Sequence, residues 1–151
     1  MKALTTLFVI GMFATAVAMA NDVDDVKAEM ERYFAALNAG DAEGYIQHFM
    51  PETTAFVGTG LMSEAHSLQE QRRAFQASLD AGVQRNLRLR HLEVRIYGNT
   101  AVTTCYVVGT TTFNGTTNQL RSQRTAVLIK QGGQWKEVHQ HRSLLNIDPS
   151  Q

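Results

Sequence analysis

Three glycine-containing dipeptides constrain this chain more than any other feature. Gly98-Asn99, Asn114-Gly115 and Gly132-Gly133 cut its second half into four long β-prone runs, about 84–97, 100–113, 116–130 and 134–145. Asn-Gly and its relatives supply the positive φ that a two-residue hairpin turn needs, so consecutive runs pair antiparallel in chain order. The first run changes phase: Leu87 and Leu89 sit at odd positions, Leu92, Val94 and Ile96 at even ones. A bulge near His91 restores a single apolar face and bends the strand. The product is a strongly curved meander whose concave side must be filled.

The first half supplies the filling. Val23, Val26, Met30, Tyr33, Phe34 and Leu37 recur at helical spacing, with Asn21 or Asp22 as a cap and Gly40 as a left-handed stop. Asp41 caps a second, short helix carrying Tyr45, Ile46 and Phe49, which Pro51 ends. Thr53 to Val57 reads as a short strand before a flexible Gly58-Thr59-Gly60. Ser63 caps a third helix that runs to about Leu79 and stops at Gly82. Its apolar stripe is Ala65, Leu68, Phe75 and Leu79, and Arg72 occupies the position that completes the period. A guanidinium on an inward stripe is costly unless paired. The fold class is therefore α+β: a cone-shaped curved antiparallel sheet, four-strand meander plus a short strand, wrapped around three N-terminal helices. Such a cone contains a pocket.

The other end of the chain states an address. Lys2, an apolar run from Ala3 to Ala18, and the small-x-small site Ala18-Met19-Ala20 precede the acidic Asn21-Asp22-Val23-Asp24-Asp25. That is the anatomy of a cleavable signal peptide, and the apolar stretch is short for a membrane span. We expect cleavage after Ala20, a periplasmic or secreted product, and one domain over residues 21–151. Subtracting Lys2 leaves 13 basic against 14 acidic residues of the 14 and 14 in the whole chain, about minus one. This balance argues against nucleic-acid partners and against a membrane partner after signal cleavage. The lone Cys105, inside an apolar β-run, forms no internal disulfide and is expected buried and inert. Glu137, His139 and His141 alternate on one strand and would share one face with Trp135; we expect no metal there and no cofactor elsewhere. His48, His66 and His91 are scattered and read as surface or boundary residues.

Ala36-Leu37-Asn38-Ala39-Gly40-Asp41-Ala42-Glu43-Gly44-Tyr45, Thr54-Ala55-Phe56, Arg124-Thr125-Ala126-Val127 and the ending Gly132-Gly133-Gln134-Trp135-Lys136-Glu137-Val138-His139-Gln140-His141-Arg142-Ser143 carry a family resemblance. With the element order, they resemble the nuclear transport factor 2-like (SnoaL-like) superfamily. The ending is similar to the association (hub) domain of calcium/calmodulin-dependent protein kinase II and its stand-alone bacterial relatives. One cone hosts isomerases, dehydratases, cyclases and oligomerisation modules, so the resemblance implies a fold and leaves the function to the site.

By resemblance to ketosteroid isomerases, Tyr33 stands at the oxyanion-stabilising position, but the carboxylate base falls at Val57, which cannot accept a proton. Tyr33 also reads as a core aromatic. The hub resemblance places Arg142 and Tyr45 in a ligand pocket, while a second hub arginine falls at Ala126 and a pocket histidine at Arg72. Arg124, two residues from Ala126 on the same face, is the replacement candidate. Arg142 reads equally as pocket-lining or structural; Arg124 reads first as internally paired, with Glu137, Glu93 and Glu70 as partners on offer. Register decides: a two-residue Gly132-Gly133 loop pairs Gln123 with Arg142, whereas a three-residue loop with a bulge puts Arg142 and Arg124 on one face. The resemblance turns the face of the last strand that carries Trp135, Glu137, His139 and His141 away from the pocket, where subunits pack, and Val127 and Ile129 make the preceding strand apolar on both faces. The expectation is an exported homodimer or larger ring. It binds a small anionic ligand, a carboxylate, through Tyr33, Tyr45, Arg72, Arg124 and Arg142, with no catalytic residues. The alternatives are an isomerase, dehydratase or cyclase using Tyr33 or Tyr45 with His48, and a purely structural oligomerisation module.

Overall fold

A computed structural model describes the backbone of residues 3–57 and 62–145, and their side chains except for 3–20, 57 and 62–66. The export-signal reading therefore rests on side chains outside the described residues, as does Gly58-Thr59-Gly60. Among the described residues three helices, α1 (Ala3–Ala39), α2 (Ala42–Ile46) and α3 (Leu68–Asp80), join six strands: β1 (Phe49–Val57), β2 (Met62–His66), β3 (Gln84–Tyr97), β4 (Thr100–Phe113), β5 (Thr116–Gln131) and β6 (Gln134–Leu144). All six form one sheet in the order β2-β1-β6-β5-β4-β3. The meander pairs antiparallel in chain order; β1 returns to lie parallel to β6 and antiparallel to β2.

All three hairpins are two-residue loops, pairing Tyr97 with Thr100, Phe113 with Thr116 and Gln131 with Gln134. The phase change in β3 is a bulge between Arg90 and Glu93, with His91 at a φ of 52°. Because of it, Leu87, Leu89, Leu92, Val94 and Ile96 all reach the core side. There α1 lies across the concave face, burying Val26, Met30, Tyr33 and Phe34 against Leu87, Ala101, Cys105, Val107, Ala126, Leu128 and Trp135.

Four expectations about the elements need correction. The first helix has no cap at Asn21 or Asp22, because the helical backbone runs through from Ala3; Asp22 is instead an ion-pair partner of Lys130. Phe49 belongs to β1, not α2. Pro51 interrupts β1 without ending it, since it falls in the irregular stretch between the Phe49–Glu137 and Thr54–His139 pairs, where no ladder N–H is required. The third helix begins at Ser67, not Ser63. Ser67 makes a complete capping box with Glu70, and the segment carrying Ser63 is a sixth strand that apolar patterning does not announce.

The α1–α2 corner follows the sequence closely. Gly40 has a φ of 71° and the Asp41 N–H donates to the Ala36 carbonyl at 3.0 Å, closing a left-handed helix stop. Asp41 then caps α2 by accepting from the Gly44 N–H at 3.0 Å. Asn38 clamps this corner to the sheet: its amide donates to the Leu87 carbonyl and accepts from the Leu87 N–H, both at 2.8 Å. Replacing Asn38 by alanine strands both Leu87 groups, so we expect a loss of about 1–3 kcal/mol. Urea unfolding of the variant measures it. Opposite Leu87 is Gly109 with a φ of 148°, where an added Cβ would lie 2.0 Å from the Asn86 carbonyl oxygen. Only glycine fits that approach.

Candidate functional site

One bulge in β6 organises the interior. Leu128 pairs with Glu137, but Val127 pairs with His139, so the strand gains a residue between them. Neither loop alternative occurs as framed: the hairpin is tight, and the bulge sits further along the ladder. Its effect is to pair Arg124 with Arg142 and to flip the face of everything beyond it. Trp135 and Glu137 point inward before the bulge and Gln140 and Arg142 after it. Glu137 therefore does not share a face with His139 and His141, and the outward assignment of Trp135 and Glu137 is overturned.

Glu137 is fully buried and anchors a chain of charges. Its Oε2 accepts from Arg124 Nη2 at 2.5 Å and lies 3.0 Å from His48 Nε2. The other His48 ring nitrogen lies 2.9 Å from Glu29 Oε1, and Arg124 Nε donates to Gln140 Oε1 at 3.1 Å. His48 is thus an interior residue, only 1% exposed and stacked on Tyr33 at 4.3 Å; the surface reading fails. Its local sequence gives no cue, because only the fold brings Glu29 and Glu137 to its two nitrogens. Burial acts to raise the Glu137 carboxyl, but the Arg124 charge and the hydrogen bonds from His48 and Arg124 outweigh it and hold it below the usual range. Burial also opposes the charge on Glu29, and His48 and Arg32 reverse the balance in the same way. Both groups hold protons less tightly folded than unfolded. Their stabilisation is therefore complete above the ordinary value of 4.5 and is lost as pH falls below it. Melting temperatures should fall below pH 4.5, and less steeply in an Arg124→Met/Glu137→Leu double variant.

Above this network lies a cavity of about 820 Å³ between α1, α2, α3 and the concave sheet. Leu37, Phe49, Leu87 and Leu120 give it an apolar lining, and Tyr45 stacks on Phe75 with ring centroids 4.2 Å apart and planes at 12°. Tyr33 lines it too while serving as a core aromatic. Burial, with Tyr45 nearby, pushes the Tyr33 phenol far up, and burial also raises the Tyr45 phenol. Both rings stay neutral and neither is a base.

The arginines sort differently from the expectation. Arg142 lines the cavity, and its buried Nε has no hydrogen-bond partner among the described residues. Arg124 lies beneath the floor, 3% exposed, over the Tyr33 ring and committed to Glu137, and reaches the cavity only through Gln140. Arg72 is on the surface, ion-paired with Glu43 at 2.5 Å; Leu68, Gln71, Phe75 and Ser78 form the inward stripe instead, one position out of phase with it. The second cavity guanidinium is Arg85, which the sequence reading passed over. It stands over the Phe75 ring at 5.2 Å, its Nη2 donates to Ser78 Oγ at 3.0 Å, and its buried Nη1 has no partner among the described residues. Its odd parity with Leu87 and Leu89 was the available signal. Among the described residues the cavity's only carboxylate is Glu70, exposed at the start of α3 and accepting from Ser67.

A curved mixed sheet enclosing helices and a cavity floored by a buried ion network defines a cone-shaped nuclear transport factor 2-like domain. Residues 26–147 match the SnoaL-like domain, and the chain belongs to that family. A protein of unknown function from Mycobacterium tuberculosis superposes with a TM-score of 0.76 at 20% identity, over 90% of this chain and 80% of that one. A putative dehydratase of the NTF2-like family from Streptomyces avermitilis gives 0.72 at 18% identity, over 85% and 99%. The CaMKII hub of S. rosetta gives 0.68 at 21% identity, over 82% and 96%. At such identities the likeness is one of fold. No curated protein matches the chain.

Proposed function

We propose that this is an exported, self-associating domain whose cavity binds a small carboxylate without catalysing a reaction. One observation carries the binding reading: two arginines, Arg85 and Arg142, line one largely apolar cavity, and each keeps a buried guanidinium nitrogen (Nη1 and Nε) without a hydrogen-bond partner among the described residues. A buried, unsatisfied cationic donor is costly, and a carboxylate is the group that a planar guanidinium grips best. The non-catalytic reading rests on what surrounds Tyr33. The nearest histidine has both ring nitrogens at carboxylates and is sealed from solvent. A thermal-shift screen of small carboxylates against matched amides tests the binding. Stabilisation by carboxylates and not by amides is expected; equal response to both contradicts the reading.

Export is supported by Lys2, the apolar run and Ala18-Met19-Ala20. N-terminal sequencing of protein recovered outside the cytoplasm should begin at Asn21. Self-association is supported by the outer face of the sheet, where Val102 pairs with Val127 and Thr100 with Ile129, leaving a half-exposed apolar row. A second copy covers that row in this reading. Sedimentation velocity should show a dimer that Val127→Glu dissociates.

A further inference from the structure

The cavity is large and apolar for the charge that marks it. At about 820 Å³ it sits high in the range of about 300–1,000 Å³ that encloses drug-sized ligands, so an acid of a few carbons leaves most of it unfilled. Its walls favour a longer molecule. Leu37, Phe49, Leu87 and Leu120 contribute apolar surface, and burial keeps the Tyr33 and Tyr45 phenols neutral. Hydrocarbon displaces water from such walls favourably, in proportion to the apolar area removed from solvent.

The register shows where that hydrocarbon leads. Pairing on β6 is unbroken from Arg142 to Leu144, so Leu144 follows Arg142 on the cavity side of the sheet, and it is 54% exposed. On β4, Phe113 follows the cavity-lining Thr111 in the same way and is 46% exposed. Leu144 pairs with Ser122 and Phe113 with Thr116, both nearer the start of β5 than Arg124, the partner of Arg142. Leu120 lies between those two positions of β5 and lines the cavity. An apolar track thus runs from Arg142 past Leu120 to two exposed apolar side chains at the rim. From these features we propose that the ligand is an amphipathic monocarboxylate, its head on Arg142 and its hydrocarbon tail along the Leu120 wall toward Leu144 and Phe113. The proposal rests on the carboxylate-binding reading above and adds the body of the ligand to its head. Arg142 takes the head because its buried Nε has no partner among the described residues, whereas Arg85 is already engaged by Ser78 and Phe75.

Calorimetric titration of the protein with butyrate, hexanoate and octanoate at pH 7, with octanamide as the uncharged control, tests this directly. Affinity is expected to rise about two- to fourfold with each added methylene, as burial of hydrocarbon requires. Octanamide should bind at least about tenfold more weakly than octanoate, because it lacks the charge-assisted contact. Arg142→Met should weaken all three acids by a common factor and leave the length dependence intact. Leu120→Ser and Phe113→Ser should weaken octanoate while leaving butyrate unchanged. If the acids bind with equal affinity whatever their length, the amphipathic proposal is overturned while the carboxylate reading stands. If octanamide binds as tightly as octanoate, or no acid binds, both fall. The length series on the unaltered protein keeps the test decisive even where a variant folds poorly.

Discussion

Replacing Glu137 with alanine is expected to destabilise the domain by about 3–5 kcal/mol, the usual cost of removing one partner from a buried ion pair. The variant leaves Arg124 charged and enclosed, 3% exposed beneath Tyr33, and takes a partner from His48 at the same time. Arg124 cannot relieve this by losing its proton, since a guanidinium stays charged at any pH at which a protein folds. Removing both charges is a different experiment. Arg124→Met/Glu137→Leu substitutes apolar groups of similar size, and such pairs are often neutral. We expect the double variant to recover most of the stability lost by Glu137→Ala. Urea unfolding of both variants measures the coupling; equal losses in single and double variants would show that the pair contributes more than mutual compensation.

The cavity arginines should behave in the opposite way. Arg142→Met or Arg85→Met is expected to weaken carboxylate binding about ten- to a hundredfold. Arg142→Met should leave the unliganded domain as stable as before, or more so, while Arg85→Met also gives up the Ser78 hydrogen bond and the Phe75 contact. The reason is that Arg142 Nε and Arg85 Nη1 are buried without partners among the described residues, so the unliganded fold gains nothing from these donors. Arg72→Met, at a surface ion pair with Glu43, should change neither quantity appreciably. Paired titrations and melting curves on these three variants separate residues kept for binding from residues kept for the fold.

Much of the fold was legible because its signals are local. The three turn dipeptides, the phase change at His91 and the Gly40-Asp41 corner each specify backbone geometry within a few residues, and each appears where the sequence places it. The site was legible in part for the same reason. Arg142 and Tyr45 came from the motif, yet Arg72 was misplaced by a helical phase error of one residue, because Gln71 completes the stripe. The interior network was illegible. It depends on a bulge at one point of the β5–β6 ladder that shows no glycine, and on Glu29, His48 and Glu137 meeting across 108 residues of chain. Arg85 was missed because it reads as one more charge on an arginine-rich strand, although its parity matches Leu87.

The measurement that tests the account most directly is a crystal structure of the mature domain with the carboxylate that raises its melting temperature most. That ligand is expected in the cavity beside the Tyr45–Phe75 stack, with carboxylate oxygens about 2.7–2.9 Å from guanidinium nitrogens of Arg142 or Arg85. A ligand bound outside the cavity, or both guanidiniums turned onto protein carboxylates with the ligand held by other groups, would contradict it.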